Sequence, residues 1–87
     1  MKVMVLYRPN SETARSVEEF SHELEREYQA KIDLVSLDTR DGSSTASLYG
    51  VVQYPAVLVL GADGQLVKDW QGAILPLRSE IAYYIRL

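Results

Sequence analysis

Three arginines have the residue type and spacing that could best bind a ligand. Arg8 follows a short apolar run near the N-terminus, Arg40 follows a second apolar segment, and Arg15 lies in the first turns of a predicted helix. The carboxyl ends of parallel strands meet at one edge of an open α/β sheet, and a helix N-terminus there attracts anions. The arginines therefore predict a site for a carboxylate, a phosphate or an acidic peptide beside Asn10 and Ser11.

A simpler interpretation treats these arginines as solvated side chains that are paired with acids close to them. Glu12, Asp38 and Asp41 are the nearest acidic residues along the chain. Exposed ion pairs of this kind are common and contribute little to stability. We favour this interpretation over the anion site, and both stay open at this point.

No residue has the surroundings that catalysis would need. The chain contains no cysteine, which excludes disulfides, thiolate metal sites and dithiol chemistry. Ser11 lacks an adjacent base and a glycine-flanked elbow, so we expect it to cap a helix. The single histidine, His22, projects away from the apolar side of its predicted helix and lies among glutamates. We expect no catalytic residue, no metal site and no cofactor.

Size, composition and charge limit the class of protein. The chain has 87 residues and a mass of 9.8 kDa, which suits one domain over residues 1–87. Apolar residues make up 47% and charged residues 24%, so we expect a buried core. The net charge of -3 and the pI near 5.0 argue against nucleic acid as a partner. No apolar run is long enough for a membrane span or a signal segment, so we expect a cytoplasmic protein that does not enter membranes.

Apolar periodicity predicts seven elements in the order β-α-β-α-β-β-α. Short apolar runs predict strands, and apolar residues at steps of three and four predict helices. In chain order, the predicted elements are a strand at 3–7, a helix at 11–29, a strand at 31–38, a short helix at 45–49, strands at 56–60 and 65–70, and a helix that starts near Pro76 and buries Leu77, Ile81, Tyr84 and Ile85. The Asp63-Gly64 pair predicts a hairpin turn between the last two strands.

This order of elements predicts an α/β fold. A right-handed strand, helix and strand unit makes the first two strands parallel, and the hairpin adds an antiparallel pair. The four strands then form one mixed sheet with helices on both faces.

The chain also resembles thioredoxin in local sequence. The matching stretches, in order, are LEREYQ at 24–29, VSLD at 35–38, YGVVQYPA at 49–56, DGQ at 63–65 and GA at 72–73. The resemblance covers about residues 3–86. The family's first strand and helix have no counterpart in this match. The resemblance identifies the chain as similar to a minimal thioredoxin-like domain, closer in length to glutaredoxin.

The resemblance implies that the redox motif of the family has been lost. Residues 11–14 (Ser-Glu-Thr-Ala) stand where thioredoxins carry Cys-Gly-Pro-Cys, Asn10 replaces the tryptophan before the motif, and Val5 replaces a buried aspartate. Disulfide exchange needs a thiolate and a second thiol. We therefore expect no redox catalysis, and the parallel loss of the supporting residues favours an evolved change over an engineered one at Ser11.

The Tyr54-Pro55 pair implies a binding surface. In thioredoxins this peptide bond is cis, and the backbone before the proline pairs with an extended substrate peptide. We therefore expect a module that binds an unknown protein or peptide partner without chemistry. The expected binding residues are Arg8, Asn10, Ser11, Thr13, Arg15, Arg40, Gln53, Tyr54, Pro55, Gly72 and Ala73.

Three alternatives stay open. The first is a small enzyme that binds glutathione or a phosphate ester near Ser11, and the second is a regulatory protein similar to the KaiB clock family. The third is a homodimer that forms through the edge strand near Trp70. Tyr54 and Trp70 are also candidate anchors for a partner, although we favour core packing for Trp70.

Overall fold

The structure, a computed structural model, describes residues 1–85; the end of the resemblance at Arg86, and Leu87, lie outside the described residues. Its elements are β1 (Lys2–Tyr7), α1 (Ala14–Tyr28), β2 (Ile32–Ser36), α2 (Arg40–Leu48), β3 (Ala56–Leu60), β4 (Leu66–Gln71) and α3 (Arg78–Ile85). The predicted order β-α-β-α-β-β-α is confirmed. None of the described helices is long and apolar enough to cross a bilayer.

The four strands form one mixed sheet in the order β2-β1-β3-β4. β1 pairs in parallel with β2 and antiparallel with β3, and β3 pairs antiparallel with β4. The predicted mixed sheet is therefore confirmed. This arrangement leaves β2 and β4 at the two edges, and it brings the end of β1 next to the start of β3.

The core has two layers because β1 and β3 are covered on both faces. Val5 and Val57 pack on the layer that contains α1 and α3, whereas Leu6 and Leu58 pack on the layer that contains α2. All five residues of β3 are buried. Burial on both faces explains why the sequence of these strands reads as continuous apolar runs without polar alternation.

Helix α1 begins at Ala14, three residues later than predicted. Ser11 does not cap it, so that prediction is wrong: the Ser11 hydroxyl donates to the carbonyl of Arg8 at 2.7 Å and lies 3.1 Å from the Thr13 hydroxyl. Thr13 occupies the N-cap position and makes no side-chain cap hydrogen bond. Ser11 instead closes the turn between β1 and α1.

Helix α2 begins at Arg40, five residues earlier than predicted. Thr39 caps it, because its hydroxyl oxygen accepts from the Gly42 amide at 3.0 Å. Asp41 and Gly42, a pair of residue types that often forms turns, lie in the first turn of this helix. The threonine cap overrides the turn preference of the Asp-Gly pair.

Helix α3 buries less than predicted. Leu77 precedes the helix and is 68% exposed, so its place in the buried stripe is wrong. Its amide donates to the Glu80 carboxylate at 3.2 Å, which satisfies one of the free amides at the helix start. Ile81 is fully buried, whereas Tyr84 and Ile85 are partly buried against the same core layer.

Candidate functional site

Three chain segments meet where β1 ends and β3 begins. Strand pairing places Leu6 opposite Ala56 and Ala56 opposite Gln71. The Tyr54-Pro55 peptide bond, just before β3, is cis. We call this region the cis-proline edge and define it as Arg8 together with residues 52–55 and 71–74.

Hydrogen bonds from the end of β4 hold the loop of the cis-proline edge. The Oε1 atom of Gln71 accepts from the amides of Val52 at 2.9 Å and Gln53 at 3.2 Å. Its Nε2 atom donates to Asp69 at 2.8 Å, which orients the side-chain amide. The loop therefore has a defined shape, although most of it is exposed.

Sequence reasoning did not identify Gln71 as a site residue. Glutamine has no pattern or spacing that marks it as the partner of a loop 18 residues away. The nearest signal was the resemblance at Gly72, the next residue. The Gly72 amide donates to the Pro55 carbonyl at 3.0 Å, so the two segments are also joined through their backbones.

Tyr54 is the residue of this loop whose backbone N–H and carbonyl are both unused. The amides of Val52 and Gln53 are bound to Gln71, and proline has no N–H. Neither the N–H nor the carbonyl of Tyr54 has a hydrogen-bond partner in the part of the chain that the structure describes. Tyr54 is 40% exposed.

Arg8 lies between Tyr54 and an acidic residue. Its guanidinium carbon is 5.8 Å from the centre of the Tyr54 ring, and its Nη1 atom is 2.8 Å from Asp38 Oδ1. Asp38 is one of the three acids that the simpler interpretation names as partners of the arginines, and that interpretation holds for Arg8. The pair presents both signs of charge beside the Tyr54 ring, so Arg8 is not an isolated cation.

The cis-proline edge also carries exposed apolar residues. Val52 is 78% exposed and Ile74 is 91% exposed, and they lie on the two segments that Gln71 and Gly72 join. Gly72 has φ +115°, a conformation that favours glycine, and a Cβ there would lie 3.1 Å from the Gln53 side-chain oxygen. The edge therefore combines exposed apolar surface with a turn that needs glycine.

The other two predicted arginines lie elsewhere. Arg15 pairs with Glu19 of its own helix at 3.3 Å, rather than with Glu12 or Asp41. Arg40, the first residue of α2, is exposed and has no ion pair within residues 1–85. The three arginines therefore share no ion-pair partner in the described part of the chain.

The remaining predicted residues are placed as follows. Asn10 and Ser11 are exposed in the turn after β1, Thr13 is half-buried beside them, and Ala73 is exposed after Gly72. His22 is exposed on α1, as predicted. The Ser11 hydroxyl donates to a carbonyl and has no base beside it among the described residues.

One titratable group near this edge has a shifted pKa. Burial raises the pKa of Tyr7 above its ordinary value of 10.0, and the Glu18 carboxylate adds to the shift. The Tyr7 hydroxyl donates to Glu18 at 3.3 Å. Tyr7 is therefore a neutral structural donor at the end of β1.

Trp70 packs against the core layer of α1 and α3, the interpretation that the sequence favoured. Its ring meets Tyr84 edge to face at 5.8 Å, and the Lys68 ammonium lies 5.8 Å from the ring centre. An open cleft of about 300 Å³ lies here, between β4 and α3.

No protein-family model and no curated protein matches the chain. Solved thioredoxin structures do match it. Thioredoxin 1 from Thermosipho africanus superposes with a TM-score of 0.71 at 14% identity, covering 99% of this chain and 91% of its own. A Schistosoma mansoni thioredoxin (TM-score 0.71) and mitochondrial thioredoxin 3 of Saccharomyces cerevisiae (0.66) are each 20% identical, covering 97% of this chain and 74% of theirs.

This chain therefore has the thioredoxin fold, which confirms the fold that the resemblance implied. It carries that fold without any cysteine. The combination is compatible with a protein that lacks dithiol oxidoreductase activity.

Proposed function

We propose that this protein is a redox-inactive thioredoxin-like module that binds an extended peptide segment of a partner protein at the cis-proline edge. The observation that carries the proposal is Tyr54, whose backbone N–H and carbonyl are unpaired within residues 1–85 on a loop whose neighbouring amides are bound to Gln71. An extended peptide can use such a donor and acceptor pair for strand-type hydrogen bonds.

The side chains around Tyr54 suit a peptide better than a small anion. Val52 and Ile74 offer exposed apolar surface for alternate side chains of an extended segment. Arg8 and Asp38 offer one charge of each sign and already neutralise each other. A small anion would have to compete with Asp38 for Arg8, so the glutathione or phosphate-ester alternative has less support.

The proposed absence of redox activity follows from chemistry. Disulfide exchange proceeds through a thiolate and a mixed disulfide, and the chain has no sulfhydryl group. We expect no reduction of insulin disulfides above the rate of dithiothreitol alone. A rate of insulin reduction above that of dithiothreitol alone would contradict this part of the proposal.

Affinity capture with matched variants tests the binding. The first variant, called the edge variant, combines Tyr54→Ala with Arg8→Glu, which removes the exposed ring and reverses the charge of residue 8 at the cis-proline edge. The control is Tyr83→Ala with Arg26→Glu, which makes the same chemical changes at exposed positions on α3 and α1. Circular dichroism verifies that both variants fold.

We expect specific partners to bind the native protein and the control, and to be lost with the edge variant. A partner so identified can be cut into overlapping peptides, and the binding peptide should shift the Tyr54 amide signal in NMR spectra. Equal capture by all three baits would overturn the proposal, and so would a binding peptide that shifts signals only on other elements.

A further inference from the structure

Strand β2 has one edge without a neighbouring strand in the described part of the chain. Its other edge pairs in parallel with β1, with Tyr7 opposite Ser36, and the Leu37 amide donates to the Tyr7 carbonyl at 2.9 Å. In a parallel ladder the N–H and carbonyl of one residue point to the same side. The odd-numbered residues of β2 therefore face β1, and Ile32, Leu34 and Ser36 present their backbone groups outward.

Two of the six outward groups are already occupied. The Ile32 amide donates to the Glu25 carboxylate at 3.0 Å. The Ser36 carbonyl accepts from the Thr39 hydroxyl at 2.8 Å and from its amide at 3.4 Å. Four groups are left, namely the Ile32 carbonyl, both groups of Leu34 and the Ser36 amide.

These four groups are complementary to themselves, and from this we infer that β2 pairs with β2 of a second copy of this chain. The pairing is antiparallel around a two-fold axis at Leu34. Each Leu34 amide donates to the Leu34 carbonyl of the other copy, and each Ser36 amide donates to the Ile32 carbonyl of the other copy. A full ladder in this register would also join the Ile32 amide to the Ser36 carbonyl of the other copy. Glu25 and Thr39 already bind these two groups, so the pairing makes four hydrogen bonds instead of six.

The side chains agree with this register. Leu34 is 38% exposed, and the axis places it beside Leu34 of the second copy, about 5.5 Å away between Cα atoms. No like charges face each other directly, because Asp33 lies opposite Val35 of the second copy. Asp33 is also neutralised by Lys2 of its own chain at 3.3 Å.

The two edges of the sheet differ in their protection against pairing. Proteins shield open edges with proline, charged side chains or bulges. β2 contains no proline and no irregularity in its pairing with β1, and its one charged residue, Asp33, is paired with Lys2. β4 carries Lys68 and Asp69 at its middle and has a register irregularity where it pairs with Leu60. A two-fold axis at Lys68 or Asp69 would set like charges opposite each other, so we place the contact on β2 rather than on the edge that carries Trp70.

This pairing is independent of the proposed peptide binding. β2 lies at the opposite edge of the sheet from β4, and the pairing uses no residue of the cis-proline edge. Failure of either proposal therefore leaves the other unaffected.

Measurement of mass in solution tests the pairing. We expect light scattering coupled to size exclusion to show a rise from 9.8 kDa towards twice that value as protein concentration increases. Leu34→Lys places two ammonium groups at the axis and should keep the protein monomeric. The matched control is Val67→Lys on β4, where Val67 is 44% exposed, and it should dimerise like the native chain.

Several outcomes would overturn the inference. One is a native chain that stays monomeric at the concentration of an NMR sample. Another is a dimer that is lost with Val67→Lys and retained with Leu34→Lys, because this result would place the contact on the edge that carries Trp70. Equal behaviour of the two variants would also overturn it.

Amide hydrogen exchange on the native chain provides a test that does not depend on a variant folding. The Leu34 and Ser36 amides should exchange fast in dilute solution and become protected when the dimer forms. The Val35 amide faces β1 and should be protected at both concentrations. Fast exchange at Leu34 in a solution that contains mostly dimer would exclude β2 as the contact.

Discussion

The two loops that meet at the cis-proline edge use their polar groups in opposite ways. The turn at residues 8–13 is closed locally, because the Ser11 hydroxyl and amide both bind the Arg8 carbonyl, at 2.7 and 3.1 Å. The loop at 52–55 is held from a distance by Gln71 and keeps the backbone groups of Tyr54 unpaired within residues 1–85. By resemblance, the first segment stands where thioredoxins carry their thiols and the second where they bind peptide.

Under the proposed function, this chain has lost one part of a site and kept another. A turn that satisfies its own polar groups needs no ligand, so its residues serve the structure. A loop that is shaped by a distant side chain can keep a donor and an acceptor for a partner. The comparison therefore depends on the contacts of Gly72, Gln71, Ser11 and Arg8, and each can be tested by substitution.

The largest effect is expected at Gly72. Gly72→Val puts a side chain on a backbone with φ +115° and close to Gln53, which should lower the free energy of unfolding by about 1–3 kcal/mol. Urea denaturation measures this change. Ala73→Val, at the exposed neighbouring position, should have little effect, and equal losses in the two variants would show that the turn does not need glycine.

A smaller effect is expected at Gln71. Gln71→Ala removes the acceptor for the amides of Val52 and Gln53. It should cost about 1 kcal/mol, because water replaces part of two exposed hydrogen bonds. Amide exchange at both positions should accelerate. Gln53→Ala is the control, and if it loosened the loop equally, Gln71 would not be the residue that holds it.

Ser11 should matter less than Gln71. Ser11→Ala removes one exposed hydrogen bond to the Arg8 carbonyl and should cost about 0.5 kcal/mol in urea denaturation. Partner capture should not change, since this turn is closed on itself. Ser11→Thr keeps the hydroxyl and should recover the stability. Loss of a partner with Ser11→Ala would mean that the turn belongs to the binding surface.

The smallest effect is expected for the ion pair between Arg8 and Asp38. Both side chains are about half exposed, so a double-mutant cycle with Arg8→Met and Asp38→Asn should give a coupling of about 0.3 kcal/mol. The coupling should fall as salt is added. A coupling that is large and insensitive to salt would show that the pair is shielded from water.

The sheet was predictable because its signals are local. Val3 to Tyr7 and Ala56 to Leu60 are apolar runs that suit strands buried on both faces, and both are strands. The Asp63-Gly64 turn joins the last two strands as expected. Each of these signals depends on neighbours in the chain, so no knowledge of the fold was needed.

The helix boundaries were less predictable because several residues competed for each end. Thr39 caps α2 and starts it five residues before the predicted helix, and Ser11 binds Arg8 in place of capping α1. Leu77 fits the apolar spacing of the last helix, yet it precedes α3 and is exposed. Spacing identifies a candidate, and tertiary packing decides which candidate is buried.

The sequence by itself determined the order of the elements, the two-sided burial of the central strands and the absence of any thiol. Periodicity, turn residues and composition are properties of short stretches and survive without a three-dimensional context. Only the tertiary structure decided that Gln71 holds the 52–55 loop and which of the three candidate acids pairs with Arg8, namely Asp38, 30 residues away. Such contacts join distant segments, and residue type alone does not specify which distant side chain a backbone amide or a guanidinium will meet.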